Sequence, residues 1–343
     1  MAENSHIGWT DHTFNPWIGC LKVSPGCKNC YAEVDTFARR ERSRGRELWG
    51  PNSLRHRTSS AYWNKPINWN YIHWCECSKC GWRGDWNKTK PNYELHGSPS
   101  CPLCMGSVKS SRQRVFCASM ADVFEDHPAL NIWREDLFQL IEQTPNLDWL
   151  LLTKRPENVK RELPGNVWLG VSVEDQKHAK KRIPLLQKID AKLKFLSCEP
   201  MLDYIDLSFA VEPDEDAWSE VHASRDDDDE PEEFVQECEA ELDWVNYGNE
   251  LVYNPEHREW SERQRMSAGF KTLKHGVIDW VICGGESGPH RREMMIHWAE
   301  MLYAECKQAG IPFFMKQDSG SKPGKQGRLS DELWSIKEFP NER

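Results

Sequence analysis

The chain lacks the features that carry a protein into or across a membrane. Its opening stretch, MAENSHIGWTDH, has no apolar core of the kind a secretory leader needs, and no apolar run approaches the ~18 residues of a spanning helix. The expectation is a cytoplasmic protein with no membrane partner. Disulfides are rare in a reducing compartment, so the 13 cysteines are read as metal ligands where they cluster and as core residues where they are scattered. Missing too is a fourth cysteine beside Cys20, Cys27 and Cys30, which stand as C-x6-C-x2-C in TFNPWIGCLKVSPGCKNCYAE, residues 13–33.

Basic charge is scarce overall but not locally. The net charge is −10 over 343 residues, a length that holds one large α/β domain with additions or two domains. Residues 212–243 carry 16 acids and one arginine, a local −15, and read as a solvated, partly disordered insertion. Residues 39–114 carry 15 basic and 5 acidic residues, a local +10, together with Trp49, Trp63, Trp69, Trp74, Trp82 and Trp86. Cations interleaved with flat rings suit single-stranded or distorted nucleic acid, and suit equally a charged surface over a small Trp-rich core.

Apolar, β-branched runs recur and end in polar residues. RVFCASMADVFED (114–126) leads to Ser119 and Asp122, DWLLLTKRPE (148–157) to Lys154 and Arg155, and NVWLGVSVED (166–175) to Glu174. KFLSCEPM (194–201) leads to Glu199, DWVICGGESG (279–288) to Gly284, Gly285 and Glu286, and PFFMKQ (312–317) to Lys316. Helical segments fall between several of them, at 129–144, 175–189 and 296–310. Alternating strands and helices argue for a parallel sheet, because parallel neighbours need crossovers. With TFNPWIG as a first strand the count is seven, which predicts an α/β fold with a partial or complete TIM-like (β/α) barrel whose polar strand ends face one mouth. A doubly wound sheet is the alternative. The expected organisation is a first strand and cysteine loop (1–50), a ribbon insertion (51–112), strands two to five (113–205), the acidic insertion (206–275), strands six and seven (276–318) and a C-terminal tail (319–343).

Two cysteine constellations carry chemistry. Cys77 and Cys80 with Cys101 and Cys104 form C-x2-C-x20-C-x2-C, two knuckles suited to a tetrahedral four-sulfur zinc site. Four protein ligands leave no open position, so the expected role is a structural staple, with Cys75 as an alternative ligand or a spare. Cys20, Cys27 and Cys30 differ in kind. Three cysteines hold three corners of a [4Fe–4S] cubane and leave one iron for a small molecule; a zinc completed by His12 or Cys117, or purely structural cysteines, are the other readings.

Taken together, TFNPWIGCLKVSPGCKNCYAE, SMADVFED, LLLTKRPE, WLGVSVED, FLSCEPML, DWVICGGESG and PFFMKQ resemble the phage and prophage family called after gene products thirty-seven and sixty-eight, over residues 7–33, 114–206 and 276–318. That family is similar to the radical S-adenosylmethionine superfamily and, distantly, to spore photoproduct lyases. The superfamily usually spaces its cysteines C-x3-C-x2-C, whereas here the first gap is six, with the C-x2-C half and the following Tyr31 retained. The resemblance implies a cluster on Cys20, Cys27 and Cys30, S-adenosylmethionine at its free iron, and generation of a 5′-deoxyadenosyl radical. A methionyl ammonium needs acceptors and its carboxylate a cation, so Asp122, Glu174 and Glu199 are candidates for the first and Lys154 and Arg155 for the second. Gly284, Gly285 and Glu286 match a Gly-Gly-Glu stretch used at that ammonium, and match equally a tight strand-to-helix turn. The implied function is a phage-type radical enzyme that modifies or repairs nucleic acid and draws electrons from a reductant protein in the host cytoplasm. A metal-stabilised binder of nucleic acid or host protein without catalysis is the alternative, and a small-molecule or peptide substrate stays open.

Overall fold

Runs without a polar face become strands buried on both sides, and every residue of three of them is buried. The computed structural model describes residues 5, 7–92, 97–208, 244–247, 250–253 and 278–340, so the acidic run 212–243 lies outside the described residues. Seven parallel strands stand side by side in chain order: β1 (His12–Thr13), β2 (Gln113–Cys117), β3 (Leu147–Thr153), β4 (Val167–Ser172), β5 (Leu193–Cys198), β6 (Trp280–Gly284) and β7 (Phe313–Gln317). Among the described residues no pairing joins β7 back to β1, and the sheet is a half-barrel. Helix α1 (Thr36–Ser43) follows the three-cysteine loop, and α2 (Leu130–Glu142), α3 (Gln176–Gln187) and α4 (Ile296–Ala309) supply crossovers. The Asp175 carboxylate caps α3 by accepting from the His178 amide, and Gly310, at φ 66°, closes α4 in the left-handed conformation. No helix among the described residues is long and apolar enough to cross a membrane.

Two compact units divide the chain, one of Met1–Leu207 with His275–Arg343 and one of Ser208–Lys274. The described part of the second is an antiparallel pair, Trp244–Tyr247 with Glu250–Tyr253.

Strand alternation sorts the half-barrel into two ends. Phe116, Leu150, Trp168, Phe195, Trp280, Ile282 and Phe314 meet on the concave face with Trp9, whose ring lies 4.6 Å from Phe116 and 6.3 Å from Trp280. Gly170 makes room for this packing, since a Cβ there would stand 2.3 Å from the Phe195 ring. These residues fill the N-terminal end of the barrel. The same alternation carries the concave face on to Lys154, Ser172, Ser197, Gly284 and Lys316, which replace the aromatic floor by a polar mouth.

Three expectations change in detail. TFNPWIG does not run as one strand: β1 is His12–Thr13, and Trp17–Ile18 pairs instead with His56–Arg57 in an antiparallel sheet of its own. Pro16 lies at the break and has no amide to donate to a ladder. The ribbon insertion narrows to about residues 74–111, where Trp74–Cys77 pairs with Arg83–Asp85 and Val108–Ser111. Tyr62, Trp63 and Trp69, which precede it, pack on the barrel: Tyr62 stacks and Trp63 stands edge-on at Phe14, and Trp69 stacks on His12. The expected tail folds back: Lys337 bridges to Phe314, and Phe339 packs against the concave core.

Candidate metal centres

Both knuckles of the ribbon are built alike. Gly81 N–H donates to Cys77 O and Met105 N–H to Cys101 O, each at 3.0 Å, while Lys79 N–H and Leu103 N–H donate to the sulfurs of Cys77 and Cys101. Gly81 and Met105, at φ 71° and 59°, turn the chain away in the left-handed region. All four sulfurs lie within 4.8 Å of one another, with Cys77 and Cys104 at 3.5 Å and Cys80 and Cys101 at 3.6 Å. A tetrahedron with Zn–S of about 2.3 Å sets neighbouring sulfurs about 3.8 Å apart, so the group can hold a metal ion such as zinc. Burial pushes the Cys77 thiol up, but the knuckle N–H groups outweigh it and hold this thiol below its ordinary value. Cys75 is outside the group, its thiol turned to Gly84 O.

The ribbon is fastened at the end of the barrel remote from the polar mouth. Arg83 pairs with Asp11 at 3.1 Å, and Asp11 accepts from the Arg114 amide at the start of β2. The length of β2, about 16 Å at ~3.3 Å per residue, separates this anchor from the mouth.

The three-cysteine loop sits at the mouth and is tied there at several points. Gly19, at φ 115°, brings the chain against Leu48 O, where a Cβ would stand only 2.5 Å away. Cys20 N–H then donates to Leu48 O and Gly50 N–H to Cys20 O. Asn29 donates to Glu286 Oε2 at 3.0 Å and to His290 O at 2.7 Å, and Tyr31 OH donates to Ser119 O. Gly26 lies against Glu174, so that a Cβ there would stand 3.2 Å from the carboxyl carbon. Arg155 reaches in from the end of β3, with Nη1 3.9 Å from Cys20 Sγ and Nη2 donating to Leu21 O at 2.6 Å.

All three cysteines are half-buried, and Cys20 and Cys30 rest on a common apolar cluster of Ile18, Ala32, Leu48, Trp49 and Met120. Burial first, then the nearby Asp122 carboxylate, pushes the Cys20 thiol up to about 12, and burial raises Cys30 as well. Near neutral pH these are thiols, so a metal that binds them must displace protons. Among the described residues the ribbon group alone brings three or more ligand atoms within 4.8 Å of one another; the sulfurs of Cys20, Cys27 and Cys30 are not gathered to the spacing of a single ion. Of the distant ligands considered for a zinc here, His12 stacks on Trp69 and bonds Gln113 at the other end of β2, and Cys117 is buried within that strand.

The charged strand ends are sorted by their partners. Asp122 accepts from Thr153 Oγ1, Lys154 N, Arg155 Nη1 and Phe124 N, at 2.7 to 3.0 Å. Both oxygens of Glu199 accept from Lys316 Nζ at 2.6 Å. Glu286 is held by Arg292 and Asn29. Glu174 is fully buried; its Oε2 accepts from Arg182 at 2.7 Å and lies 3.9 Å from Lys154 Nζ, while its Oε1 faces the Gly26 stretch of the cysteine loop, with His178 Nδ1 4.0 Å away and the Ser24 hydroxyl beside the carboxylate. Gly285 is pressed on Ser319, where a Cβ would stand 2.4 Å from its amide, so this glycine serves chain packing at the exit of β7. Sequence reasoning missed Asn29, Arg182 and Arg292; only Asn29, lying between two cysteines, offered a signal.

The tryptophans of the basic stretch divide evenly by burial. Trp49, Trp69 and Trp74 are buried and Trp63, Trp82 and Trp86 half-buried. A cleft of about 460 Å³ opens beside the cysteine loop, lined in part by Thr13, Asn15, Ile18, Phe37, Arg40 and Met120.

The half-barrel with a polar mouth is compatible with radical S-adenosylmethionine-like enzymes. No curated protein and no solved structure matches the chain at a significant level. Residues 4–334 match the model of DUF5131, a family of proteins of unknown function, and the chain belongs to that family.

Proposed function

We propose that the chain is a radical S-adenosylmethionine-like iron–sulfur enzyme with a structural zinc on its ribbon. The observation that carries the reading is a three-thiol loop seated on the polar mouth of a parallel half-barrel, its sulfurs spread wider than one ion needs, in a chain that gathers four other sulfurs tightly elsewhere. Cys20, Cys27 and Cys30 would hold the cluster. A cubane places a separate iron at each corner, so its cysteines stand farther apart than those around one zinc.

When bound, the cluster and S-adenosylmethionine supply one-electron cleavage of a sulfonium and hydrogen abstraction. The protein's part is to bind, orient and exclude water. Of the candidates for the methionyl end, Asp122 and Arg155 are committed to each other, Glu199 to Lys316, and Glu286 to Arg292. Glu174 and Lys154 form the loosest of these pairs, 3.9 Å apart; Arg182 holds the Oε2 of Glu174, and its Oε1 faces Gly26 of the cysteine loop with His178 Nδ1 4.0 Å away. We assign Glu174 to the ammonium and Lys154 to the carboxylate of S-adenosylmethionine. The aromatic floor closes the site to water from below.

The substrate belongs in the cleft beside α1. Arg40 at its edge and the +10 charge of residues 39–114 favour a polyanion, and nucleic acid is the substrate class we propose. With three of the six tryptophans buried, the expected attraction is chiefly electrostatic and steeply salt-dependent. A low-potential reductant protein completes the system.

The test is anaerobic incubation of the iron-loaded protein with S-adenosylmethionine and dithionite, followed by chromatography. The reading expects 5′-deoxyadenosine and methionine in equal amounts, and at least tenfold less from Glu174→Gln. A fully iron-loaded protein that leaves S-adenosylmethionine intact would overturn it.

A further inference from the structure

Arg155 was a candidate for the cofactor's carboxylate, yet its side chain is occupied in a way that suggests a different role. The residue is 6% exposed and its guanidinium is fixed on three sides: Nη1 donates to Asp122 Oδ2 at 2.7 Å, Nη2 to Leu21 O at 2.6 Å, and Nη1 also lies 3.9 Å from Cys20 Sγ. Asp122, 5% exposed, is itself immobilised by Thr153 Oγ1 and by the amides of Phe124 and Lys154. A purely structural tie for the loop would need only the bond to Leu21 O. Here a buried permanent cation is aimed at one of the three thiol sulfurs.

We propose that Arg155 is a positioning residue that tunes the reduction potential of the iron bound through Cys20. The inference rests on the iron–sulfur reading above. A buried positive charge beside a ligating thiolate favours whichever state carries more negative charge, and hydrogen bonds to ligand sulfurs act in the same direction. Arg155 therefore stabilises the state reached when one electron passes from a low-potential donor to the cluster, with no bond made or broken. Asp122 holds the guanidinium in place and partly offsets its charge, which keeps the potential from rising too far for sulfonium cleavage.

The test reads the midpoint potential of the reconstituted cluster, by dithionite titration followed with electron paramagnetic resonance, together with iron content. Arg155→Met is expected to keep about four irons per chain and to shift the midpoint to more negative potential. Arg155→Lys, which keeps the charge, is expected to stay near the wild type. An Arg155→Met midpoint equal to the wild-type one overturns the inference and leaves the proposed function standing. If Arg155→Met holds no iron, Arg155→Lys decides: a cluster at the wild-type midpoint supports a role for the charge, and loss of iron there too makes Arg155 a structural tie and overturns the inference. Wild-type protein that takes up no iron overturns the proposed function and this inference with it.

Discussion

Glu125→Ala should be among the most damaging single substitutions outside the cysteines. The Arg55 and Glu125 side chains are 1% and 2% exposed and pair in two-armed fashion, Nε to Oε2 at 2.9 Å and Nη2 to Oε1 at 2.6 Å. The remaining Arg55 donors go to the carbonyls of Leu48, Gly50, Ser53 and Leu54, so this one guanidinium shapes the segment whose backbone pairs with Cys20. Removing the carboxylate leaves a buried cation without a counter-charge, which costs about 3–5 kcal/mol. Total stabilities lie at about 5–15 kcal/mol, so the loss is a large fraction of what holds the fold. With a urea m-value of about 3 kcal/mol per M, the unfolding midpoint should fall by about 1–1.7 M. Glu125→Gln keeps an acceptor and should recover part of the loss. Glu135→Ala, which breaks the more exposed pair with Arg161, is the control and should cost under about 1 kcal/mol. A Glu125→Ala midpoint within about 0.3 M of the wild type would refute the reasoning, because that is a change below about 1 kcal/mol.

Gly106→Ala should weaken zinc, since a Cβ there meets Lys79 Cβ at 2.9 Å and the sulfurs of Cys77 and Cys104 at 3.3 Å. Overpacking of about 1–3 kcal/mol corresponds to about 5- to 150-fold in affinity, measurable by competition with a chromophoric chelator. Cys75→Ser should retain the zinc that Cys77→Ala releases, and only the latter should open the ribbon to limited proteolysis. Acid should loosen the loop through Glu286, whose burial is outweighed by Arg292 and Asn29, leaving its carboxyl below the ordinary 4.5. A folded value below the unfolded one means that the contribution is present above about pH 4.5 and is lost as pH falls through the folded value. Glu286→Gln should flatten the acid limb of a stability profile, and an unchanged limb would remove Glu286 from the account.

Elements whose signal is local were legible in the sequence. Alternation and apolar runs located β2 to β7, Gly310 marked the end of α4, and C-x2-C spacing marked the ribbon group. The polar strand ends were legible as a set, because a parallel sheet delivers them to one mouth. Their pairing was not. Asp122 meets Arg155, and Glu286 meets Asn29 and Arg292, through strand register and loop path, neither of which composition encodes. The tryptophans were ambiguous for a related reason: a ring beneath a charged rim and a ring offered to a base have the same neighbours in sequence. Burial of Trp69 against His12 of β1 is a property of the packed chain alone.

Metal analysis of the anaerobically prepared protein tests the central claim most directly. The account predicts about four irons and about one zinc per chain, with a brown chromophore. The Cys20, Cys27, Cys30 triple alanine variant should lose the iron and the colour while keeping the zinc. Iron retained by that variant, or a second zinc in place of iron in the wild type, would contradict the account.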